Sequence, residues 1–203
     1  MLMEDCFTRM AATGAWGSPE TPCGPGSTLE ACRGILERLP AWIRDHGIRS
    51  IADLGCGDFH WMSRADLSGV QYDGYDVVRF LIERNVENHG RSNVRFHHAD
   101  LMELVVPSVD LVILKDVLIH LPTMQALEIL GHAVSARPKF LASTTSPGWP
   151  LTNRICMKLG EFSPIDLEAE PFSLGPPLDM VEVPSRAGNP PKKFALWRMS
   201  ESA

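Results

Sequence analysis

The sequence contains no long apolar run and no targeting segment. No stretch of about eighteen apolar residues is available to span a bilayer, and the first ten residues lack the basic start and apolar stretch of a signal peptide. We therefore expect a protein that has no membrane segment and stays in the cytoplasm.

Cysteine is scarce, and its spacing suits neither a metal site nor a redox pair. The five cysteines are an odd number and form no C-x-x-C motif. We expect reduced, mostly structural thiols and no metal centre. The adjacent His97 and His98 do not change this expectation, because neighbouring residues of a strand point to opposite faces and cannot easily share an ion.

A basic excess is also absent. The formal net charge is -6 and the isoelectric point is about 5.6, so the chain offers no cationic surface for the phosphates of a nucleic acid. We expect no nucleic-acid partner, and the sequence gives no sign of a particular oligomeric state.

What the chain does contain is a globular composition in which strand-like and helix-like segments alternate. Of its 203 residues, 44% are hydrophobic and 22% are charged, which suits one domain with a sizeable core. Short β-branched or aromatic runs predict strands at 49–54, 71–76, 94–98, 109–114, 140–144, 178–183 and 193–199. This alternation predicts an α/β fold with a parallel sheet and right-handed crossovers. The last two strands are expected to pair antiparallel at the sheet edge.

Two segments lie outside this rhythm. Residues 1–26 are rich in small residues, Gly and Pro and show no sustained periodicity, so we predict an N-terminal arm or lid before a single domain at 27–203. Ser27-Thr28-Leu29-Glu30 fits a capping box at the start of the first helix. Residues 146–177 hold several prolines without a clear period, and we predict an insert on the substrate side.

The most informative stretch is Asp53-Leu54-Gly55-Cys56-Gly57, which closes an apolar run with an acid and two glycines before an expected helix. Glycine permits a positive φ and lets backbone N–H groups approach a ligand closely. Two more acids, Asp76 and Asp100, end the next two strand-like runs. Acids at the ends of three successive strands predict one ligand that is contacted at three points.

These motifs, with Tyr75-Asp76, Ala99-Asp100-Leu101 and the run Val109-Asp110-Leu111-Val112-Ile113-Leu114, resemble those of the class I S-adenosylmethionine-dependent methyltransferases. The resemblance covers roughly residues 27–199. It implies a Rossmann-like, doubly wound, mostly parallel seven-stranded sheet with an antiparallel last strand and helices on both faces. It also implies S-adenosylmethionine as the methyl donor.

The resemblance assigns most of the donor contacts. Gly55 and Gly57 line the methionine end of the donor, and Asp53 lies beside its ammonium. Asp76 accepts hydrogen bonds from both ribose hydroxyls, while Asp100 accepts one from the adenine amino group. Capping of a turn or helix is the alternative role for Asp53 and Asp76, and a solvated position is the alternative for Asp100. The full predicted donor set is Asp53, Gly55, Gly57, Asp76, Val77, Asp100, Leu101 and Lys115.

The segment after the fourth strand, residues 115–121, is where this family places the donor methyl and the acceptor. Methyl transfer requires an aligned nucleophile and, for a hydroxyl or an ammonium, a base that takes a proton. His120 is the first catalytic candidate because imidazole titrates near physiological pH, and Asp116 is the second. His120 can equally be a packing residue. The segment lacks the Asn/Asp-Pro-Pro-aromatic tetrapeptide that supports methylation of planar amino nitrogens in related families.

Trp16 and Trp149 are the candidate acceptor-binding residues. Trp16 precedes the first helix, in a region that often closes over the donor in this fold, and an indole can cover a sulfonium by cation–π attraction. Packing in the core or on the surface is its alternative role. Trp149 lies in the predicted insert, where Phe162 and Phe172 could also wall an acceptor pocket.

The predicted function is methyl transfer from S-adenosylmethionine to an oxygen or nitrogen of a small molecule. A non-catalytic donor-binding module is the alternative, since the donor contacts are clearer than any catalytic base. An NAD(P)-dependent oxidoreductase is less favoured, because a dinucleotide site needs a third glycine where this chain has His60.

Overall fold

One seven-stranded sheet organises the chain. The computed structural model describes residues 2–185 and 188–199. Its strands are β1 (Ser50–Leu54), β2 (Gln71–Asp76), β3 (Val94–His98), β4 (Leu111–Leu114), β5 (Phe140–Thr145), β6 (Asp179–Val183) and β7 (Lys192–Arg198). The spatial order is β3-β2-β1-β4-β5-β7-β6. The first five strands are parallel, and β7 runs antiparallel to both β5 and β6. This topology confirms the predicted sheet, including its antiparallel end.

The helices lie on both faces of the sheet, as predicted. They are α1 (Met3–Thr13), α2 (Leu29–Asp45), α3 (Arg79–His89) and α4 (Thr123–Ser135), with short 3-10 helices at Pro25–Ser27, Met62–Arg64 and Leu118–His120. Alternate residues of β4 point to opposite faces, so Ile113 joins the core cluster under α2, while Val112 joins the cluster under α4. All four residues of β4 are buried, which is typical of a central parallel strand covered on both sides.

The N-terminal arm contains a helix, α1, that the sequence analysis did not predict. Met3, Phe7 and Ala11 recur at helical spacing and pack against the core cluster under α4. The helix ends at Gly14, which adopts the left-handed conformation with φ of 62°. Residue 1 and residues 200–203, which end the two predicted ranges, fall outside the described residues.

The predicted capping box is displaced by one residue. Thr28, not Ser27, is the N-cap of α2, and its hydroxyl accepts a hydrogen bond from the N–H of Ala31 at 3.2 Å. Ser27 instead ends the preceding 3-10 turn, and the Glu30 carboxylate pairs with Arg33 on the same helix. The helix begins close to the expected position, but a different hydroxyl caps it.

The prediction of a helix directly after the glycine turn is wrong. Only the three-residue 3-10 helix Met62–Arg64 lies between β1 and β2. The turn continues through Phe59, which has a φ of 57°, and a positive φ of this kind interrupts a right-handed helix. The end of β1 is therefore followed by an irregular segment.

Candidate functional site

A cavity of about 490 Å³ opens at the carboxyl ends of β1, β2 and β4. The strand order reverses direction between β1 and β4, and open α/β sheets bind ligands at such a switch point. Ten of the predicted site residues lie on the wall of this cavity: Trp16, Asp53, Gly55, Gly57, Asp76, Val77, Leu101, Lys115, Asp116 and His120.

The turn after β1 brings bare backbone to the cavity wall. Gly55 and Gly57 have φ of 85° and 57°, a conformation that side chains rarely adopt. A Cβ on Gly57 would lie 2.6 Å from the Sγ atom of Cys23, and a Cβ on Gly55 would collide with Val117. Both positions therefore require glycine for conformation and for space.

The Asp76 carboxylate is fixed by backbone donors at the end of β2. One oxygen accepts the N–H of Gly57 at 2.9 Å, and the other accepts the N–H of Val78 at 2.8 Å. Burial raises the pKa of Asp76 above its usual value, and these two backbone hydrogen bonds oppose the rise. Each carboxylate oxygen has a second lone pair, so this anchored group can still accept from a ligand.

Asp53 is a buried carboxylate in a much drier position. Its Oδ2 accepts a hydrogen bond of 2.7 Å from the hydroxyl of Tyr72, which is itself fully buried. Burial raises the pKa of Asp53 to about 7, although the Tyr72 hydrogen bond and the charge of Lys115 oppose the rise. A cation placed beside this group would stabilise its ionised form.

Asp116 lies between two lysines on the same wall. The Nζ atoms of Lys115 and Lys192 are 2.8 Å and 2.9 Å from its two oxygens. Burial alone would raise the pKa of Asp116, but the two ammonium groups outweigh it and hold that pKa well below its usual range. Asp116 is therefore a poor proton acceptor, which argues against its predicted role as a base.

The geometry of Asp116 and Lys115 points instead to a structural cluster. Asp116 has a φ of 55°, and its N–H donates to the hydroxyl of Thr144 at 2.9 Å. The Lys115 ammonium also donates to the carbonyl of Gly26 at 2.8 Å and lies 5.9 Å from the centre of the Trp61 ring. These contacts join the end of β4 to the start of α2 and to the segment after β1.

His120 lies on the cavity wall at the end of the 3-10 helix Leu118–His120. Burial lowers the pKa of His120 to about 4, with Asp116 opposing this shift. The ring is therefore neutral at physiological pH. Its Nδ1 atom is buried and has no hydrogen-bond partner in the described part of the chain.

Two predicted site residues lie elsewhere. Asp100 is not on the cavity wall, and its Oδ1 accepts the N–H of Met102 at 2.9 Å within a local turn. Trp149 is also absent from the wall and forms a turn in which its carbonyl accepts from Thr152. The structure therefore does not bring either residue to the other predicted site residues, whereas Leu101 next to Asp100 does reach the cavity.

The N-terminal segment covers part of the cavity. Met3, Phe7 and Ala11 of α1 line it, and Glu4 lies 3.1 Å from His98 at the end of β3. Farther along the chain, Glu20 pairs with His60 at 2.7 Å, and the Thr21 hydroxyl donates to Asp58 at 2.7 Å. Contacts at both ends thus hold this segment against the sheet edge.

Several wall residues were not predicted as site residues. Phe7, Cys23, Trp61 and Lys192 all line the cavity. The helical spacing of Phe7 with Met3 and Ala11 was a usable signal for its element. Lys192 carries no such signal, because its ion pair with Asp116 exists only after β7 has been placed beside β5.

His97 and His98 have separate partners. Nε2 of His97 lies 2.7 Å from Asp73, whereas Nε2 of His98 lies 3.0 Å from the carbonyl of Val77. Within residues 2–185 and 188–199, no group of three His, Cys, Asp or Glu side chains is arranged to hold a metal ion. Among the helices of these residues, none combines the length and the apolar character needed to cross a membrane.

Comparison with known proteins finds solved structures with a similar fold. No protein-family model and no curated protein matches the sequence. Solved structures with a similar fold include the N-methyltransferase NodS from Bradyrhizobium japonicum in complex with S-adenosyl-L-homocysteine, at 14% identity and a TM-score of 0.70, covering 98% of this chain and 99% of that one.

Two further solved structures extend this likeness. Magnesium protoporphyrin IX methyltransferase (ChlM) from Synechocystis with bound SAH matches at 19% identity and a TM-score of 0.64, covering 84% of each chain. The Burkholderia thailandensis 1,6-didemethyltoxoflavin-N1-methyltransferase matches at 14% identity and a TM-score of 0.66, covering 98% of this chain and 87% of that one. The three structures share the fold of this chain.

Proposed function

We propose that this chain, which has the fold of the class I S-adenosylmethionine-dependent methyltransferases, is an enzyme that transfers a methyl group from S-adenosylmethionine to an oxygen or nitrogen of a small molecule. One observation carries the proposal. Asp53, the glycine turn and Asp76 meet around one cavity at the switch point of the sheet. The similar solved structures with bound S-adenosylhomocysteine support the same donor.

The cavity residues fit the parts of this donor. Asp76, anchored by two backbone N–H groups, is suited to accept hydrogen bonds from the two ribose hydroxyls. Gly55 and Gly57 present backbone where a Cβ would fill the space, next to the methionine end. The donor supplies an activated methyl on a cationic sulfur, and the protein has to orient the acceptor toward it.

The charges at the methionine end are complementary to an amino acid. Asp53 is suited to pair with the donor ammonium. Lys115 and Lys192 are the cations on the wall among the described residues, and the pair carries one positive charge more than Asp116 balances. We assign these lysines to the donor carboxylate, because an ammonium with unused N–H groups stabilises a nearby anion.

The adenine end lies near β3 by this assignment. Val77 and Leu101 line the cavity there, and both are buried apolar residues that can contact the flat faces of a base. The predicted contact from Asp100 to the adenine amino group requires the side chain to leave its turn with Met102, and it stays a prediction.

A small acceptor fits the way the cavity is covered. Helix α1 lines one side, and Phe162 from the predicted insert lines another. Together these elements bound the space beside His120. A small molecule can enter this space, whereas a folded protein would contact only its rim.

Two features argue against the dinucleotide alternative. His60 stands where a dinucleotide site needs its third glycine, and only a three-residue 3-10 helix follows the turn. The pyrophosphate of a dinucleotide is normally held at the N-terminus of a full helix. S-adenosylmethionine has no phosphate and does not require one.

Isothermal titration tests the donor site directly. Folded protein should release or absorb heat with S-adenosylmethionine and with S-adenosylhomocysteine, and NADH should give none because no phosphate-binding helix is present. Absence of heat with about 1 mM S-adenosylhomocysteine would contradict the proposal, since even weak specific sites bind in that range.

A second measurement separates the enzyme from a non-catalytic module. S-adenosylhomocysteine released from the donor is followed with and without a panel of hydroxyl and amine acceptors. Release that depends on an acceptor supports methyl transfer. Donor binding without any acceptor-dependent release favours the module.

A further inference from the structure

The ring of His120 belongs to an aromatic wall built from four separate segments. Its centre lies 6.0 Å from the Trp16 ring and 6.3 Å from the Phe162 ring, and Trp16 stacks on Phe7 at 6.2 Å. All four rings line the donor cavity. Aromatic faces and edges of this kind favour another flat ring over an aliphatic chain.

The two ring nitrogens of His120 have different surroundings. The backbone of Glu161 raises the pKa of His120 and so favours a proton on the ring, whereas Nδ1 is buried and has no hydrogen-bond partner among the described residues. We assign the proton of the neutral ring to Nε2, because an N–H at Nδ1 would have no acceptor among the described residues. The lone pair of the neutral ring then lies on Nδ1, and a buried acceptor without a donor is costly unless a ligand supplies one.

The charged groups that face His120 limit the acceptor further. They are Asp116, Lys115 and Lys192, and the lysines occupy both oxygens of Asp116. Asp116 is therefore not available to take a proton. Asp116 and the donor carboxylate balance the two ammonium groups, so this part of the wall has no spare anion to hold a protonated amine, and a neutral acceptor is favoured.

We infer that the acceptor is an aromatic hydroxyl compound, whose ring lies against the wall formed by Trp16, His120 and Phe162 and whose hydroxyl donates to Nδ1 of His120. This inference rests on the proposed methyl transfer and selects oxygen as the methylated atom. Burial, which lowers the pKa of His120 to about 4, makes the ring a weak base. A phenol, with a pKa of about 10 as in tyrosine, gives up its proton far more readily than an aliphatic alcohol.

The atoms and charges balance in this step. The hydroxyl proton passes to Nδ1 as the phenol oxygen forms a bond to the methyl carbon. The bond from that carbon to sulfur breaks, and its electron pair stays on sulfur. The products are an aryl methyl ether, neutral S-adenosylhomocysteine and an imidazolium that returns its proton to solvent.

The test compares four acceptors with donor labelled in the methyl group: phenol, catechol, cyclohexanol and benzylamine. Label should appear in the two phenols at least about tenfold faster than in cyclohexanol or benzylamine, because only the phenols combine a flat ring with an acidic hydroxyl. Equal or faster methylation of cyclohexanol or benzylamine would overturn the inference.

His120→Asn tests the base separately from the donor site. Turnover with catechol should fall by about a hundredfold, with unchanged affinity for S-adenosylhomocysteine. The remaining activity should rise as the pH approaches about 10, because the phenol then ionises without a base. His97→Asn is the matched control, since His97 pairs with Asp73 outside the cavity wall and should leave turnover unchanged.

Binding to the unaltered protein keeps the inference testable if His120→Asn does not fold. Catechol should bind the complex with S-adenosylhomocysteine, and cyclohexanol should bind at least about tenfold more weakly. Donor binding without any binding or methylation of the phenols overturns the inference and leaves the donor site standing. Absence of donor binding contradicts the proposed function itself.

Discussion

Three carboxylates on one cavity wall are held in three different ways. Asp53 accepts from Tyr72, Asp76 accepts from two backbone N–H groups, and Asp116 is paired with two lysines. Burial raises the pKa of the first two, while the lysines lower that of the third. Aspartate thus serves in three ways: Asp53 can change its charge, Asp76 is a fixed hydrogen-bond acceptor, and Asp116 is a permanent anion.

Asp76→Asn should weaken the binding of S-adenosylhomocysteine by about ten- to a hundredfold, because a neutral amide accepts hydrogen bonds from hydroxyls less strongly than a carboxylate. Titration calorimetry measures the change. Asp73→Asn is the matched control on the same strand, since Asp73 pairs with Arg95 and is not on the cavity wall. Equal affinity of the Asp76 variant and the unaltered protein would move the ribose contact to another residue.

Asp53 should make donor binding depend on pH. In the proposed site the ionised carboxylate pairs with the donor ammonium, and with a pKa of about 7 its ionised fraction grows as pH rises. The affinity for S-adenosylhomocysteine should therefore increase by up to about tenfold per unit between about pH 5.5 and pH 7 and level off above that range. Titrations over this range give the profile.

Proton release provides a second check on Asp53. Binding of the ammonium lowers the pKa of Asp53, so protons should be released near pH 6.5 and the measured heat should depend on the buffer. Asp53→Asn should remove both effects and bind more weakly. A pH profile that is the same with and without the Asp53 carboxylate would assign the ammonium to another partner.

At the scale of elements, the turn after β1 forms part of the proposed donor site and is not followed by a long helix. Its shape depends on glycine and on close contact with neighbouring segments, as the φ of Gly57 and the nearby Sγ of Cys23 indicate. The contact with Cys23 links this turn to the N-terminal cover. Small changes in the turn should therefore affect binding before they affect the sheet.

Gly57→Ala should reduce donor affinity by at least about a hundredfold, because the new Cβ both strains the backbone and displaces Cys23. Gly69→Ala is the control: Gly69 also has a positive φ, of 75°, but no atom lies within 4 Å of its added Cβ. Calorimetry and thermal unfolding of both variants separate the two causes. An equal loss of donor affinity in the two variants would mean that backbone strain, and not the displacement of Cys23, causes the loss.

The strands were predictable from sequence because each is a short run that contains β-branched or aromatic residues and lies between turn residues. The bounds of β2 and β3 agree with the prediction at both ends. Helix α1 was missed because its apolar stripe is short and stands in a segment rich in small residues, Gly and Pro. The segment after β1 looked like a helix start, but left-handed backbone at Phe59 prevents one.

Site residues were predictable where their position at the end of a strand is enough to bring them to the cavity. They were less predictable where the direction of the side chain determines whether they reach it. Asp53 and Asp76 end parallel strands and reach the cavity. Asp100 lies beyond the end of β3, where His98 is the residue paired with Asp76, and its carboxylate turns back to its own loop. Lys192 comes from a distant strand, and only the assembled sheet shows that it meets Asp116.

At the scale of the whole molecule, donor binding should stabilise the folded state by mass action. At a free S-adenosylhomocysteine concentration a hundred times its dissociation constant, the free energy of unfolding should rise by about 2.7 kcal/mol. For a chain of this length, the melting temperature should increase by about 5 to 10 °C. Differential scanning fluorimetry measures the shift, with NADH as the control ligand. Equal shifts with both ligands would argue against a selective donor site.

The cavity wall draws on nearly the full span of the described residues, from Met3 in α1 to Lys192 in β7. Strand β7 lies between β5 and β6 in the sheet, although it comes after both of them in the sequence. A nascent chain on the ribosome can therefore pair its first five strands before the wall is complete. It gains the capacity to hold its ligand only when translation has delivered the final strand, so premature termination should yield a chain that retains part of the sheet but is inert.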